Sequence, residues 1–158
     1  MIFEDVIDFA AALPRYAPLA GLDLGTKTIG VAVCDGGLII SSPFETIQRT
    51  KFQADAARLF EIISHREIVG IVLGLPLNMD GSEGPRAQST RAFARNLTRL
   101  TDMPITYWDE RLSTVAAERA LLEADTSRKR RAEVIDNIAA SIILQGLLDR
   151  LRNIKAQG

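Results

Sequence analysis

Cysteine and histidine are almost missing from this chain: Cys34 and His65 are the only ones in 158 residues. A lone cysteine closes no internal disulfide, and nothing here implies an oxidising compartment. One cysteine and one histidine are too few for a zinc site of the usual nitrogen and sulfur type. Cys34 reads as a small buried residue rather than a nucleophile, and His65 as a solvated residue at a polar helix end. No apolar run is long enough to cross a bilayer. The N-terminus carries Glu4, Asp5 and Asp8 where a signal peptide needs positive charge. A cytoplasmic protein without a membrane partner is therefore expected. The phosphate loop GxxxxGK[ST] is absent, and "GLDLG" is not the dinucleotide fingerprint GxGxxG. Lysine is scarce as well, with four among nineteen basic residues. Arginine's planar fork suits bidentate phosphate contact, although an arginine-rich genome produces the same bias.

What is present fits one globular domain. Apolar residues make up 47% and charged residues 25%, and a chain of this length buries a substantial core. A net charge of -1 argues against a uniformly basic nucleic-acid binder. The charge is unevenly placed, however. Residues 84–131 hold ten Lys+Arg against six Asp+Glu, and the remainder holds nine against fourteen.

The spacing predicts a short helix over 3–12, ended by Pro14. Three short strands follow between Leu19 and Ser42, with Gly25 in the first turn and Asp35-Gly36-Gly37 as a hairpin signal. Phe52, Ala56, Leu59, Phe60 and Ile63 keep helical spacing over 52–66. "IVGIVLGLP" is the continuous apolar run of a strand covered on both faces, and the loop "LNMDGSEGP" comes next. A helix is expected over 85–100, then a fifth strand, "PITYW", ending in Asp109-Glu110-Arg111. Another helix is expected from Ser113, a possible N-cap, to about Ala124. "DTSRKRR" reads as a basic loop, and the last helix runs from about Ala132 to Leu151. The order is βββ-α-β-α-β-α-α: the first three strands antiparallel, the later ones parallel through helical crossovers. No internal repeat or second domain boundary is visible.

Three acids stand out. Asp23 lies inside an apolar strand, where an unpaired carboxylate costs several kcal/mol. Asp109 and Glu110 close the fifth strand, and strand alternation allows only one of them to share Asp23's side. Asp136 lies near the start of the last helix, aligned with Ala140, Ile143 and Leu147. Brought together, these carboxylates would repel unless a cation intervened. Mg²⁺ prefers hard oxygen ligands and keeps waters, and a pair of such ions serves phosphodiester hydrolysis. Each acid also has an ordinary reading: Asp23 paired with Lys27 across the turn, Asp136 as a helix N-terminal acid, and Asp109-Glu110-Arg111 as a surface salt-bridge cluster.

The fold order, with "GLDLGTKTIGVAVCD", "GLPLNMDGSEG", "DERLST" and "VIDNIAASIILQ", resembles the YqgF/RuvX family of Holliday-junction-resolvase-like nucleases in the ribonuclease H superfamily. The likeness spans roughly Leu19 to Leu148 and leaves residues 1–18 as an N-terminal extension. It implies a ribonuclease H-like α/β fold with a mixed five-stranded sheet. It implies that Asp23, Glu110 and Asp136 are the catalytic, metal-binding residues, holding Mg²⁺ or Mn²⁺, with Asp109 as a neighbour. The implied activity is a nuclease acting in 5′-end maturation of pre-16S rRNA. A DNA-junction resolvase and a non-catalytic RNA- or ribosome-binding module are the alternatives. "DLGTKTIG" also looks like the first phosphate loop of actin-like ATPases, which need a second such domain. Candidate nucleic-acid contacts are Lys27, Arg86, Arg128, Lys129, Arg130 and Arg131. Asn78 and Ser82 flank the glycine loop with Arg86. Arg91, Arg95 and Arg99 form a stripe that either tracks phosphates or is a solvated helix face. Either a monomer or a homodimer is compatible, a resolvase favouring the dimer.

Overall fold

Strands form where apolar runs must be covered on both sides. In the computed structural model, which describes residues 1–113 and 128–157, six strands make one mixed sheet. They are β1 (Ile2–Phe3), β2 (Leu19–Leu24), β3 (Thr28–Cys34), β4 (Ser41–Gln48), β5 (Gly70–Leu75) and β6 (Ile105–Asp109). Their spatial order is β1-β6-β5-β2-β3-β4. β2, β3 and β4 pair antiparallel, whereas β5 pairs parallel with β2 and with β6. The predicted antiparallel-then-parallel arrangement is therefore observed, with six strands where five were expected.

The extra strand corrects the predicted helix over 3–12. Ile2 and Phe3 pair parallel with Ile105 and Thr106, and helix α1 (Val6–Ala12) begins only after Asp5, whose Oδ1 accepts the Ile7 N–H at 2.7 Å. A two-residue strand has no period to detect, and its partner lies about a hundred residues away, as in the 2.8 Å bond from the Thr106 hydroxyl to the Phe3 carbonyl. Helices α2 (Phe52–His65) and α3 (Pro85–Thr98) fall where the periodicity put them. The C-terminal helix α4 (Arg128–Gln157) starts earlier than expected. Arg128–Arg131 are its first turn, not part of a loop, because arginine and lysine are good helix formers and no Gly or Pro interrupts them. Of the helix expected over 113–124, Ser113 instead ends a 3₁₀ turn, Glu110–Leu112, in extended conformation; the rest lies outside the described residues, as do residues 125–127 of the expected loop.

Alternation along the strands feeds two cores. Leu22, Ile29, Val31, Leu73 and Tyr107 pack with Leu59, Ile62, Phe93 and Leu97 of α2 and α3. On the other face, Leu19, Ala32, Val72 and Trp108 pack with Phe9 of α1 and with Ile143, Leu144, Leu147 and Leu148 of α4. Every residue of β2 and β5 is buried in consequence. The approach of α4 is set by glycines. A Cβ on Gly21 would stand 2.7 Å from Leu144 Cβ, one on Gly74 2.3 Å from Ile143 Cδ1, and one on Gly146 2.6 Å from the Trp108 ring. Leu151, farther along α4, lines a cavity with Ala17 just before β2. The helix therefore runs opposite to β2, and its N-terminal part lies toward the end of the strand that carries Asp23.

Candidate active site

Asp23 is the fifth residue of β2 and is only 1% exposed. Leu22 and Leu24 belong to the α2/α3 core, so alternation turns Asp23 toward α4. Its cross-strand partner on β3 is Gly30. On the other side the β2–β5 register runs to Leu22↔Leu73, and one further step brings Gly74 beside Asp23. Asp23 thus has a glycine beside it on each neighbouring strand, and at Gly74 it is Ile143 of α4 and Glu110 that fill the place a Cβ would take.

Glu110 reaches Gly74 from β6. The strand ends at Asp109, and the chain tightens into the 3₁₀ turn Glu110–Leu112. Glu110 Oε2 comes within 3.0 Å of the position a Cβ on Gly74 would take, on the side where Ile143 of α4 packs. The two carboxylates thus border one glycine from opposite sides. Asp109 is engaged elsewhere: its Oδ1 accepts the Arg111 N–H at 2.9 Å, and the Arg111 Nη2 donates to Oδ2 at 2.7 Å. The Arg111 guanidinium bonded to it holds the Asp109 carboxyl below its ordinary range. The expectation that only one of this pair shares Asp23's face is met, and the residue is Glu110. Asp136 is in α4, one turn before Ala140, and Ala140 O would be 3.0 Å from a Cβ on Gly21. Its side chain lies outside those described, as do the side chains of Arg128, Lys129, Arg130 and Arg131. Among the described residues, no three His, Cys, Asp or Glu side chains gather as a metal site.

The basic candidates separate. Lys27 is exposed in the β2–β3 turn. Arg86, in the first turn of α3, donates to the Leu24 carbonyl at 3.3 Å. Arg91 is tied to its own chain: it donates to Glu4 at 2.5 Å and Glu83 at 2.7 Å, and lies 4.7 Å from the Tyr107 ring centre. Asn78 and Ser82 bond each other at 2.9 Å within the glycine loop. Asp80 accepts from Ser82, and these bonds lower its carboxyl below the ordinary range. Arg111, expected from the sequence only as a member of a surface salt-bridge cluster, pairs with Asp109 and also ties this loop to the site: its Nη1 donates to the Met79 carbonyl at 3.2 Å and packs on Gly81, whose φ is +88. Its place beside Asp109-Glu110 was the available signal. Cys34 is buried, and desolvation pushes its thiol up to about 11, as suits an inert core residue.

Comparison with known proteins shows the family and the fold. The family model described as "RuvX: Holliday junction resolvase" matches residues 17–150. A Paracoccus denitrificans protein named as a candidate pre-16S rRNA nuclease is 73% identical over 152 residues, covering 96% of each chain. A Ruegeria pomeroyi protein of the same name is 70% identical over 154 residues, covering 98% of this chain and all of its own. Among solved structures, T. thermophilus RuvC in complex with a Holliday junction substrate superposes with a TM-score of 0.53 at 11% identity, over 86% of this chain and 96% of that one. At that identity the likeness speaks for the fold, a RuvC-like ribonuclease H-type sheet flanked by helices.

Proposed function

We propose, starting from the fact that this chain belongs to the RuvX family, that it is a nuclease which hydrolyses phosphodiester bonds of structured RNA at the Asp23 end of the sheet. The 5′ end of precursor 16S rRNA is the substrate favoured by the names of its relatives. The observation that carries the reading is Glu110 Oε2 within 3.0 Å of the Cβ position of Gly74, which by continuing the Leu22↔Leu73 register stands beside Asp23, under the helix that bears Asp136.

The donor set fits a hard divalent cation. Carboxylate oxygens are the ligands Mg²⁺ and Mn²⁺ prefer, and the absence of a Cβ on Gly74 is what lets Glu110 Oε2 come so close to β5. Asp23, Glu110 and Asp136 would hold the metal. When bound, such an ion supplies an activated water and stabilises the leaving oxygen of the phosphodiester. The protein's own part is positional. β2 fixes Asp23 between two paired strands, and the 3₁₀ turn aims Glu110 away from Arg111 and toward Gly74. Burial under α4 lowers the local dielectric, so charge is felt more strongly there than in bulk water. Lys27, exposed on the adjoining turn, supplies positive charge for the phosphates. Arg128, Lys129, Arg130 and Arg131, in the first turn of α4 and five to eight residues before Asp136, would add positive charge for the phosphates. We place the protein's work in the cytoplasm, as a monomer or homodimer; among the described residues no helix is long and apolar enough to cross a membrane.

The test is cleavage of precursor ribosomal RNA and of a four-way DNA junction, with and without Mg²⁺, by wild type and D23N. RNA cleavage that needs Mg²⁺ and is lost in a D23N protein that still melts cooperatively is expected. A D23N protein cutting at the wild-type rate would remove Asp23 from the chemistry. Preferential cutting of the junction would favour the resolvase reading, which the family description supports. Binding of RNA without cleavage at any Mg²⁺ concentration would favour a non-catalytic module.

A further inference from the structure

At the end of the sheet that carries Asp23, but on the α2/α3 side, a cleft of about 450 Å³ opens between the β2–β3 turn and the start of α3. Its walls hold Arg49 and Arg86, the hydroxyls of Thr26, Thr50 and Ser89, and Pro85, with no carboxylate among the described lining residues. Both guanidiniums are fixed by consecutive carbonyls of the chain just after Asp23. Arg86 Nη2 donates to Leu24 O at 3.3 Å, and Arg49 Nη1 to Gly25 O at 2.6 Å. The Arg49 N–H is itself bonded to the Lys27 carbonyl at 2.8 Å. Behind the wall, buried Asp55 accepts the Thr50 N–H at 3.0 Å and so fixes that rim. A guanidinium has five N–H donors, and each of these spends one on the backbone. Arg58, Arg91, Arg111 and Arg152 are bound to carboxylates; among the described residues Arg49 and Arg86 are in no ion pair.

We infer that this cleft is a subsite for one backbone phosphate of the bound nucleic acid, a phosphate flanking the one being cut, with Arg49 and Arg86 as its positioning ligands. The inference rests on the nuclease reading. Positive charge held without internal compensation, with donors left over, matches a phosphate oxygen. The start of α3 adds to it: Gly84 at the N-cap contributes no side-chain cap, and although Pro85 has no N–H, the helix end still carries its positive dipole. The location gives the register. Leu24 and Gly25 are one and two residues beyond Asp23, about 7 Å at the rise of a strand. A nucleic-acid strand crossing the end of the sheet would therefore reach both faces. Because phosphate contacts carry no base information, the subsite serves RNA and DNA alike.

Binding of a structured RNA and of a four-way DNA junction, measured in EDTA over a salt titration, tests this. The R49A/R86A double variant is expected to bind about tenfold more weakly, with the log–log salt slope reduced by about 1. R49K/R86K should recover most of the slope, since charge is retained while the backbone bonds are altered. Neutral methylphosphonates placed singly along the strand should reveal one position that weakens wild type and has no effect on R49A/R86A. An unchanged slope, or methylphosphonate losses equal at every position in both proteins, overturns the subsite. That failure is separate from failure of the carboxylate site, which is judged by D23N cleavage alone.

Discussion

Replacing Gly21 by alanine tests how closely α4 must lie on the sheet for the site to form. The new Cβ would stand 2.7 Å from Leu144 Cβ and 3.0 Å from the Ala140 carbonyl oxygen. Non-bonded carbons settle at about 3.5–4.0 Å, so the shortfall is about 1 Å. Neither contact is the tip of a flexible side chain. One is helix backbone and the other the first side-chain carbon, so no rotamer change relieves the clash. Strand or helix must move, and α4 is anchored here by Ala140, Ile143, Leu144 and Leu147, all fully buried. Overpacking of this kind costs about 1–3 kcal/mol. Restricting the unfolded chain returns about 0.4–1 kcal/mol, leaving a net loss of about 1–2 kcal/mol. For a chain of this size each kcal/mol moves the melting point by about 2–4 °C, so calorimetry should show a drop of about 2–8 °C. Gly84→Ala is the steric control, since its nearest neighbour is the Asn78 amide at 3.9 Å, and it should lose only the N-cap preference for glycine over alanine. Lifting α4 also moves the turn that bears Asp136, so G21A should lose Mg²⁺-dependent cleavage at 25 °C, where it remains folded. A G21A protein that melts at or above wild type would refute the close-packing argument.

Other outcomes follow from the same contacts. Arg91→Ala should lower stability by about 1–2 kcal/mol in urea titration by unpairing Glu4 and Glu83 and uncovering Tyr107, while leaving the nucleic-acid salt slope unchanged; a reduced slope would return Arg91 to the binding surface. Arg111→Ala should lower stability slightly at neutral pH, because the pair is partly exposed and screened by solvent. Asp109's folded pKa is depressed by Arg111, so its stabilisation is present above the unfolded value near 3.9 and fades as pH falls through the folded one. The melting points of wild type and R111A should converge toward pH 3, and a constant gap would show that the ion pair is not the cause. Cys34 should resist thiol reagents at pH 8 until the protein unfolds, its pKa being raised to about 11 by burial; rapid labelling of the native protein would contradict the packing of β3.

The site was legible in proportion to how far each residue's role depends on its neighbours in the chain. Asp23 announced itself because a carboxylate between Leu22 and Leu24 violates a strand pattern. The choice between Asp109 and Glu110 was reducible to a parity question but not answerable, because the answer depends on the 3₁₀ turn and on Arg111 folding back onto Asp109. Arg49 gave no signal, since the backbone carbonyl that holds it comes from a turn 24 positions earlier.

The sequence by itself determined the strands and helices with a clear period, the antiparallel-to-parallel change of the sheet and the identity of the buried acid, because periodicity and burial cost act within a few residues. Only the tertiary structure decided that Ile2 and Phe3 would add a strand beside β6, that Arg91 would be consumed by Glu4 and Glu83, and that Glu110 would meet Gly74. Those outcomes are settled by contacts between segments far apart in the chain, and a local pattern carries no energy term for a neighbour it does not contain.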